Sequence, residues 1–237
     1  MNHVIILAGG VGSRMHLDIP KQYYEVHGKP VIMYSLLKFL NHPLIDSIVL
    51  VLAGKWRKYM EEQIDKVDCL GKSILWAEAG KSRQHSVLSG LSALRGFAQE
   101  KDKVLVHDAV RPLFPLFNID DGIAECESGY DAALPVITVK DATYQSTDGQ
   151  TLSRILPRQE LFSGQSPECF VFGSYLEAHS HFSDDEIASI RGGVELAYRA
   201  GLKVKMIKGL EQNIKLTTLE DLRAFELVVN GESDNPR

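Results

Sequence analysis

The chain has 237 residues, of which 44% are hydrophobic and 24% charged, with a net charge of -5. This is the composition of an ordinary globular chain able to bury one large core, and it excludes the disordered and membrane classes. A polyanion binder carries a basic surplus that is absent here, so nucleic acid is not an expected partner and any phosphate binding must be local.

The first strand candidate is VIIL, beginning at Val4, followed by a glycine-rich stretch from Leu7 to Tyr23. Pro30 to Leu40 reads as a helix, with proline at its start and apolar residues three and four apart. SIVLVL at Ser47 to Leu52 returns as a strand, and SILW at Ser73 to Trp76 is a third. Ser82 to Phe97 is a helix, and KVLV at Lys103 to Val106 a fourth strand, ending at His107 and Asp108. NIDDGIAEC reads as a helix capped by Asn or Asp, and DAALPV at Asp131 to Val136 as a fifth strand. LKVKMI is a further strand, and Thr218 to Val229 a closing helix with acidic residues in its first turn.

Short apolar runs alternating with helical segments predict a doubly wound α/β fold with a mostly parallel sheet covered on both faces. One domain is expected over residues 1–230, with a frayed tail at 231–237. Residues 138–159 break the rhythm: two alternating pieces flank STDGQ, a hairpin signal in a sheet already full, so a projecting β-arm is expected. Cys69, Cys126 and Cys169 are widely spaced without a CxxC pair, which suggests neither a disulfide framework nor a zinc site. No basic leader and no apolar run of spanning length is seen, so a cytoplasmic location is expected.

The stretch LAGGVGSRMHLDIPKQY raises the question of its ligand. The dinucleotide fingerprint needs a third glycine where Met15 stands and an acidic end to the second strand, which VLVLAGK lacks. The Walker pattern fails too, because no Gly-Lys-Ser/Thr has the right spacing. What remains is Gly9, Gly10 and Gly12, then Arg14, then Lys21 after Pro20. Glycines admit phosphate oxygens to backbone N–H groups, Arg14 can bind oxygens bidentately, and Lys21 is a compact point charge. Such a loop suits several phosphates at once; a plain strand-to-helix turn with two solvated cations is the alternative.

LAGGVGSRM, PKQY, VHDAVRP, SGQSPECF and QNIKLTTLEDL, in this order and spacing, resemble the cytidylyltransferases that act on methylerythritol phosphate or ribitol phosphate, over nearly the full chain. The resemblance implies transfer of CMP from CTP to a polyol phosphate, release of pyrophosphate and a divalent metal, usually magnesium. It also implies a homodimer in which the β-arm clasps the second subunit. No covalent nucleophile is needed for such a phosphoryl transfer, so prepositioned cations and alignment carry the catalysis.

By this resemblance Leu7, Ala8, Gly9, Gly10 and Gly12 line the nucleotide, and Arg14 and Lys21 stabilise the triphosphate and transition state. Gly80, Arg83 and Ser86 in AGKSRQHSV match a second nucleotide-contacting stretch. Asp108 faces the ribose and metal side, Ala109 the nucleotide, and Arg111 the polyol phosphate. His107 reads as a satisfied buried histidine, since the attacking phosphate is already ionised. Arg158 on the arm reaches the substrate phosphate from the other subunit, Ser166 takes the place of the usual threonine in TPQ, and Lys215 lies near both phosphates.

One segment departs from the pattern. Where the family carries Thr-Asp-Glu or Thr-Asp-Ala, this chain has Arg191, Gly192 and Gly193, while SDDE at Ser183 to Glu186 lies too early and reads as a helix start. The change alters the polyol pocket and leaves the acceptor open between the two polyol phosphates or another. LAGG in place of AAG, together with SGQSP, leans toward the ribitol branch. The alternatives are a nucleotidyltransferase of different base or acceptor and a catalytically silent nucleotide-binding homologue.

Overall fold

The computed structural model describes residues 1–10 and 19–233. Strand β1 (Asn2–Leu7) lies at the centre of an eight-stranded sheet. Two short strands, β2 (Glu25–Val26) and β3 (Lys29–Pro30), pair as a separate ribbon before helix α1 (Val31–Asn41). Strands β4 (Ser47–Leu52) and β5 (Ser73–Glu78) flank helix α2 (Arg57–Ile64), and helix α3 (Arg83–Ala93) leads to β6 (Lys103–Asp108). Helix α4 (Phe117–Glu127) precedes β7 (Ala132–Thr138).

The arm follows as β8 (Thr143–Gln145) and β9 (Arg154–Leu156), and the chain re-enters the sheet through β10 (Phe162–Gly164) and β11 (Glu168–Val171). Helices α5 (Phe172–His179), α6 (Asp184–Ser189) and α7 (Gly193–Arg199), strand β12 (Val204–Lys208) and helix α8 (Leu219–Ser233) complete the chain.

Pairings β6-β1, β1-β4 and β4-β5 are parallel, as the alternation of runs and helices predicts. Every residue of SIVLVL is buried, because helices cover both faces of β4. Each such aliphatic side chain contributes about 1.5–3 kcal/mol on burial. The far half of the sheet is mixed: β7 pairs parallel with β12 but antiparallel with β10 and β11, and β11 also pairs antiparallel with β6. The fold is thus an α/β sheet with mostly parallel strands and helices on both faces.

Two expectations are corrected. Asn118 does not cap α4 but is fully buried within its first turn, donating from Nδ2 to the Lys208 carbonyl at 2.7 Å. The helix α8 continues through Ser233, so residues 231–233 are helical and not a frayed tail; the rest of that expectation, 234–237, lies outside the described residues. The arm's paired strands are only three residues each, and Asp148 shapes the turn between them by accepting from the Gln150 and Thr151 amides. Acidic SDDE does start a helix: Ser183 and Glu186 form a reciprocal capping box on α6.

Candidate active site

The carboxyl ends of β1 and β6 open into a cleft of about 520 Å³, lined among others by Gly9, Gly10, Lys21, Gly80, Arg83 and Asp108. Ligands of open α/β sheets bind at such strand ends. Two glycines let the walls close together. A Cβ on Gly9 would stand 2.3 Å from the Ala79 Cβ, and one on Gly80 would stand 2.4 Å from the His85 Cβ. Ser82 caps α3 by accepting from the His85 amide, so the positive end of that helix faces the cleft with Arg83 in its first turn.

The glycine loop is tied down from PKQY. Gln22, almost fully buried, donates from Nε2 to the carbonyls of Ala8 at 2.6 Å and Gly10 at 2.7 Å. Tyr23 adds a hydroxyl donation to the Ala8 carbonyl at 3.2 Å while its ring stacks on Trp56 at 4.2 Å. Sequence reasoning assigned only Lys21 in this motif; the amide and phenol beside it are what hold the Ala8 and Gly10 carbonyls.

At the junction of the cleft with a second one of about 340 Å³ lies a compact charge cluster. Asp108 accepts from Arg83 Nε at 3.2 Å and from Lys215 Nζ at 2.7 Å, and Arg83 Nη2 reaches Glu168 Oε2 at 3.0 Å. Burial alone would raise the Asp108 carboxyl, but Arg83, Lys215 and Arg111 outweigh it and hold the group far below the usual carboxylate range. Arg83 is held charged by Glu168 and Asp108 against its own burial. Arg111 donates from Nη1 to the Asn213 carbonyl at 2.6 Å. Arg83 Nη1 and Arg111 Nε are buried without a hydrogen-bond partner among the described residues.

His107 is fully buried between two hydroxyls, Ser166 Oγ at 3.1 Å from Nδ1 and Ser35 Oγ at 3.2 Å from Nε2. Burial pushes its pKa down to about 3, so the imidazole is a neutral structural bridge, as the sequence suggested.

The structure brings Leu7, Gly9, Gly10, Lys21, Gly80, Arg83, Ser86, Asp108 and Lys215 to the first cleft, and Arg111 and Ser166 to the second. Arg83, Asp108 and Lys215 border both. Ala8 and Ala109 are buried behind the first cleft and do not line it: their amides donate to Val51 and Leu7 carbonyls, extending the sheet. The Ser86 hydroxyl is engaged within the wall, accepting from the Gly80 amide and donating to the Ser82 carbonyl, both at 3.0 Å. Ser166 likewise accepts from the Asp108 amide at 3.1 Å. Arg158 lies on the arm, donating to the Lys140 carbonyl at 2.9 Å, away from both clefts of its own chain. Gly12 and Arg14 lie outside the described residues.

No group of three or more His, Cys, Asp or Glu able to hold a metal occurs among the described residues. Both oxygens of Asp108, the candidate metal ligand, are engaged by cations. The donor set fits a magnesium ion only in the way nucleotide enzymes hold it, through substrate phosphates with one carboxylate and water.

A family model described as IspD, 2-C-methyl-D-erythritol 4-phosphate cytidylyltransferase, matches residues 2–231. A protein of that name from Clostridium novyi is 36% identical, with 97% of each chain covered. A ribitol-5-phosphate cytidylyltransferase from Streptococcus pneumoniae is 32% identical, covering 96% of this chain and 98% of that one. Among solved structures, the 2-C-methyl-D-erythritol 4-phosphate cytidylyltransferase of Francisella tularensis superposes with a TM-score of 0.80 at 27% identity, covering 95% of this chain and 98% of that one. A synthase structure from Anaerococcus prevotii gives the same TM-score at 23% identity and supports the fold alone; it covers 97% of this chain and 96% of that one. Joined to a cleft of paired cations at the strand ends, these likenesses lead to one conclusion: the chain is a nucleotidyltransferase and belongs to the 2-C-methyl-D-erythritol 4-phosphate cytidylyltransferase (IspD) family.

Proposed function

We propose that this chain transfers CMP from CTP to the phosphate of a small polyol phosphate, with pyrophosphate as the leaving group. The observation that carries the reading is the sharing of Arg83, Asp108 and Lys215 between two clefts. Two anions must meet for this reaction, and a junction of fixed cations is where they can. CTP would occupy the larger cleft, with its base toward the Gly80 wall and its triphosphate along Gly9, Gly10 and Lys21. The polyol phosphate would occupy the smaller one, its phosphate held by Arg111 and Lys215.

One phosphate oxygen of the acceptor attacks the α-phosphorus in line as the bond to the pyrophosphate oxygen breaks. No proton need be removed, because the attacking phosphate is ionised near neutral pH, and neutral His107 is outside the chemistry. Lys21, Arg83, Arg111 and Lys215 spread the charge that gathers at the crowded phosphorus; fixed charges of this kind are worth several kcal/mol in a dry site. Magnesium, when bound, would further neutralise the triphosphate, with Asp108 as the carboxylate placed to share it.

The second cleft remains open despite Arg191, Gly192 and Gly193, which supports an active enzyme over a silent homologue. Tyr144, Leu152 and Ile155 on the arm are more than half exposed, apolar surface suited to a second copy of the chain, which would carry Arg158 to the partner's cleft and make a homodimer. No helix among the described residues is long and apolar enough to cross a membrane, and dependence on CTP favours a cytoplasmic location.

The test is pyrophosphate release with CTP, UTP, GTP or ATP, magnesium and either methylerythritol phosphate or ribitol phosphate. Turnover with CTP and one of these acceptors is expected. Turnover with another nucleotide and not with CTP would overturn the reading.

A further inference from the structure

The acceptor cleft contains a carboxylate whose pairing with Arg83 engages only one of its oxygens. Glu168, the first residue of β11, is 6% exposed and lines this cleft but not the nucleotide cleft. A buried carboxylate is costly unless its oxygens are satisfied. Arg83 Nη2 donates to Oε2 at 3.0 Å, whereas Oε1 receives only a long contact of 3.4 Å from the Val194 amide. An ionised carboxylate can accept about four hydrogen bonds, so Glu168 keeps unused acceptor capacity.

The surrounding groups leave that capacity to a ligand. Arg83, Arg111 and Lys215 are donors only. Asp108 already accepts from Arg83 and Lys215, and the Ser166 hydroxyl is committed to the Asp108 amide and His107. Gln165 Oε1 accepts from the Leu210 amide. At the rim, Glu195 accepts from the Arg191 amide and pairs with Arg199. A polyol brings hydroxyl protons that need acceptors, and Glu168 is the carboxylate of this cleft that is less than a tenth exposed and engaged by one cation, where Asp108 is engaged by two.

Its neighbours are built around it. A Cβ on Gly193 would stand 2.9 Å from Glu168 Oε2 and 2.8 Å from the Tyr175 hydroxyl, so the glycine leaves room for the carboxylate. Tyr175 is stacked on Phe170 at 3.8 Å and cannot give way easily. The glycine at 193 and the glutamate at 168 are one arrangement.

We propose that Glu168 is a specificity-determining residue: its carboxylate accepts hydrogen bonds from hydroxyls on the acceptor's carbon chain. This rests on the cytidylyl-transfer reading above. The reacting phosphate belongs at the junction bordered by Arg83, Asp108 and Lys215, and Glu168, which pairs with Arg83 and lines only the acceptor cleft, stands where the carbon chain leaves that junction. The cleft therefore favours a polyol phosphate with its chain hydroxyls intact. It disfavours one deoxygenated beside Glu168, which leaves the carboxylate oxygens unmatched, and one oxidised there to a carboxylate, which is repelled.

The test uses the full-length enzyme with Glu168→Gln, which keeps an oxygen for Arg83, and with Gly193→Ala, which crowds the carboxylate. Steady-state pyrophosphate release is measured with the preferred polyol phosphate and with an analogue deoxygenated on its carbon chain. Wild type is expected to favour the intact acceptor by about a hundredfold in kcat/KM, and both variants to shrink that ratio at least about tenfold, chiefly through the intact acceptor's KM. The KM for CTP should stay within about twofold. An unchanged ratio in a folded Glu168→Gln enzyme, or equal losses on both acceptors with a raised KM for CTP, would overturn the proposal while leaving cytidylyl transfer standing. If wild type turns over no polyol phosphate with CTP, both fall.

Discussion

Lys215 and Asp108 meet across the mouth of the nucleotide cleft, Nζ to Oδ2 at 2.7 Å, though 107 residues separate them in the chain. The lysine comes from the segment before α8 and the aspartate from the end of β6, so the contact joins the C-terminal part of the chain to the central sheet. Lys215 is 38% exposed and Asp108 13%, so the lysine still faces the cleft while the carboxylate fixes its position. Substitution Lys215→Ala should lower kcat/KM by at least about a hundredfold, the loss of one transition-state charge contact. It should leave the fold intact, because Asp108 retains Arg83. Pyrophosphate release and a thermal unfolding scan measure the two effects; near-normal turnover would remove Lys215 from the transfer.

The glycine loop should depend on Gln22 more than on any side chain of its own. Its two donations hold the Ala8 and Gly10 carbonyls at 2.6 and 2.7 Å, and Gln22→Ala leaves the buried Ala8 carbonyl with only the weaker Tyr23 donation. A stability cost of about 1–3 kcal/mol in urea unfolding is expected. The KM for CTP should rise about tenfold with little change in the acceptor's KM, because the loop borders the nucleotide cleft and not the other. Equal increases for both substrates would show that Gln22 supports the whole site and not this loop.

His107 makes stability fall with acid. Its folded pKa of about 3 lies below the ordinary 6.5, so between these values the unfolded chain binds a proton that the folded one refuses. The stabilisation is fully present above pH 6.5 and is lost as pH falls toward 3, by about 1.4 kcal/mol per unit. Variant His107→Gln keeps an amide between Ser35 and Ser166 without this titration. Urea unfolding from pH 7 to 4.5 should show wild type losing stability faster than the variant, while kcat of wild type shows no limb assignable to this buried group. Parallel pH dependences would mean that the imidazole is protonated inside the fold.

How far such groups could be read in advance follows from what each residue answers to. The central strands were legible because burial on both faces demands continuous apolar runs, and SIVLVL has no other reading. Strand β11 was not, since ECFV is four residues long, begins with a charge, and is specified by register against β6 and β7, far away in sequence. Helix α2, RKYMEEQI, buries only Met60 and Ile64 and so carries too weak an apolar stripe to stand out. In the site, Asp108 was reachable as a charge at the end of a buried strand, whereas Arg83 and Lys215 were reached only through the resemblance of their motifs to a known family. Gln22 and Glu168 were missed for opposite reasons. Gln22 acts on backbone carbonyls, which no residue type advertises, and Glu168 gains its meaning only where Gly193 leaves space beside it.

The arm should act across subunits, and two inactive variants can show it. Arg158 lies outside both clefts of its own chain, so in a homodimer each site would combine Lys215 of one subunit with Arg158 from the other's arm. Substitutions Arg158→Ala and Lys215→Ala should each reduce turnover severely. Co-expressed, they would form hybrid dimers in which the site keeping its own Lys215 also receives an intact arm, while the other site lacks both residues. With random pairing about half the dimers are hybrids and half their sites are complete, so about a quarter of wild-type activity should return. If Arg158 served its own chain, every hybrid site would lack one residue or the other and mixing would restore nothing, so the complementation assay decides between the two arrangements by presence or absence of activity.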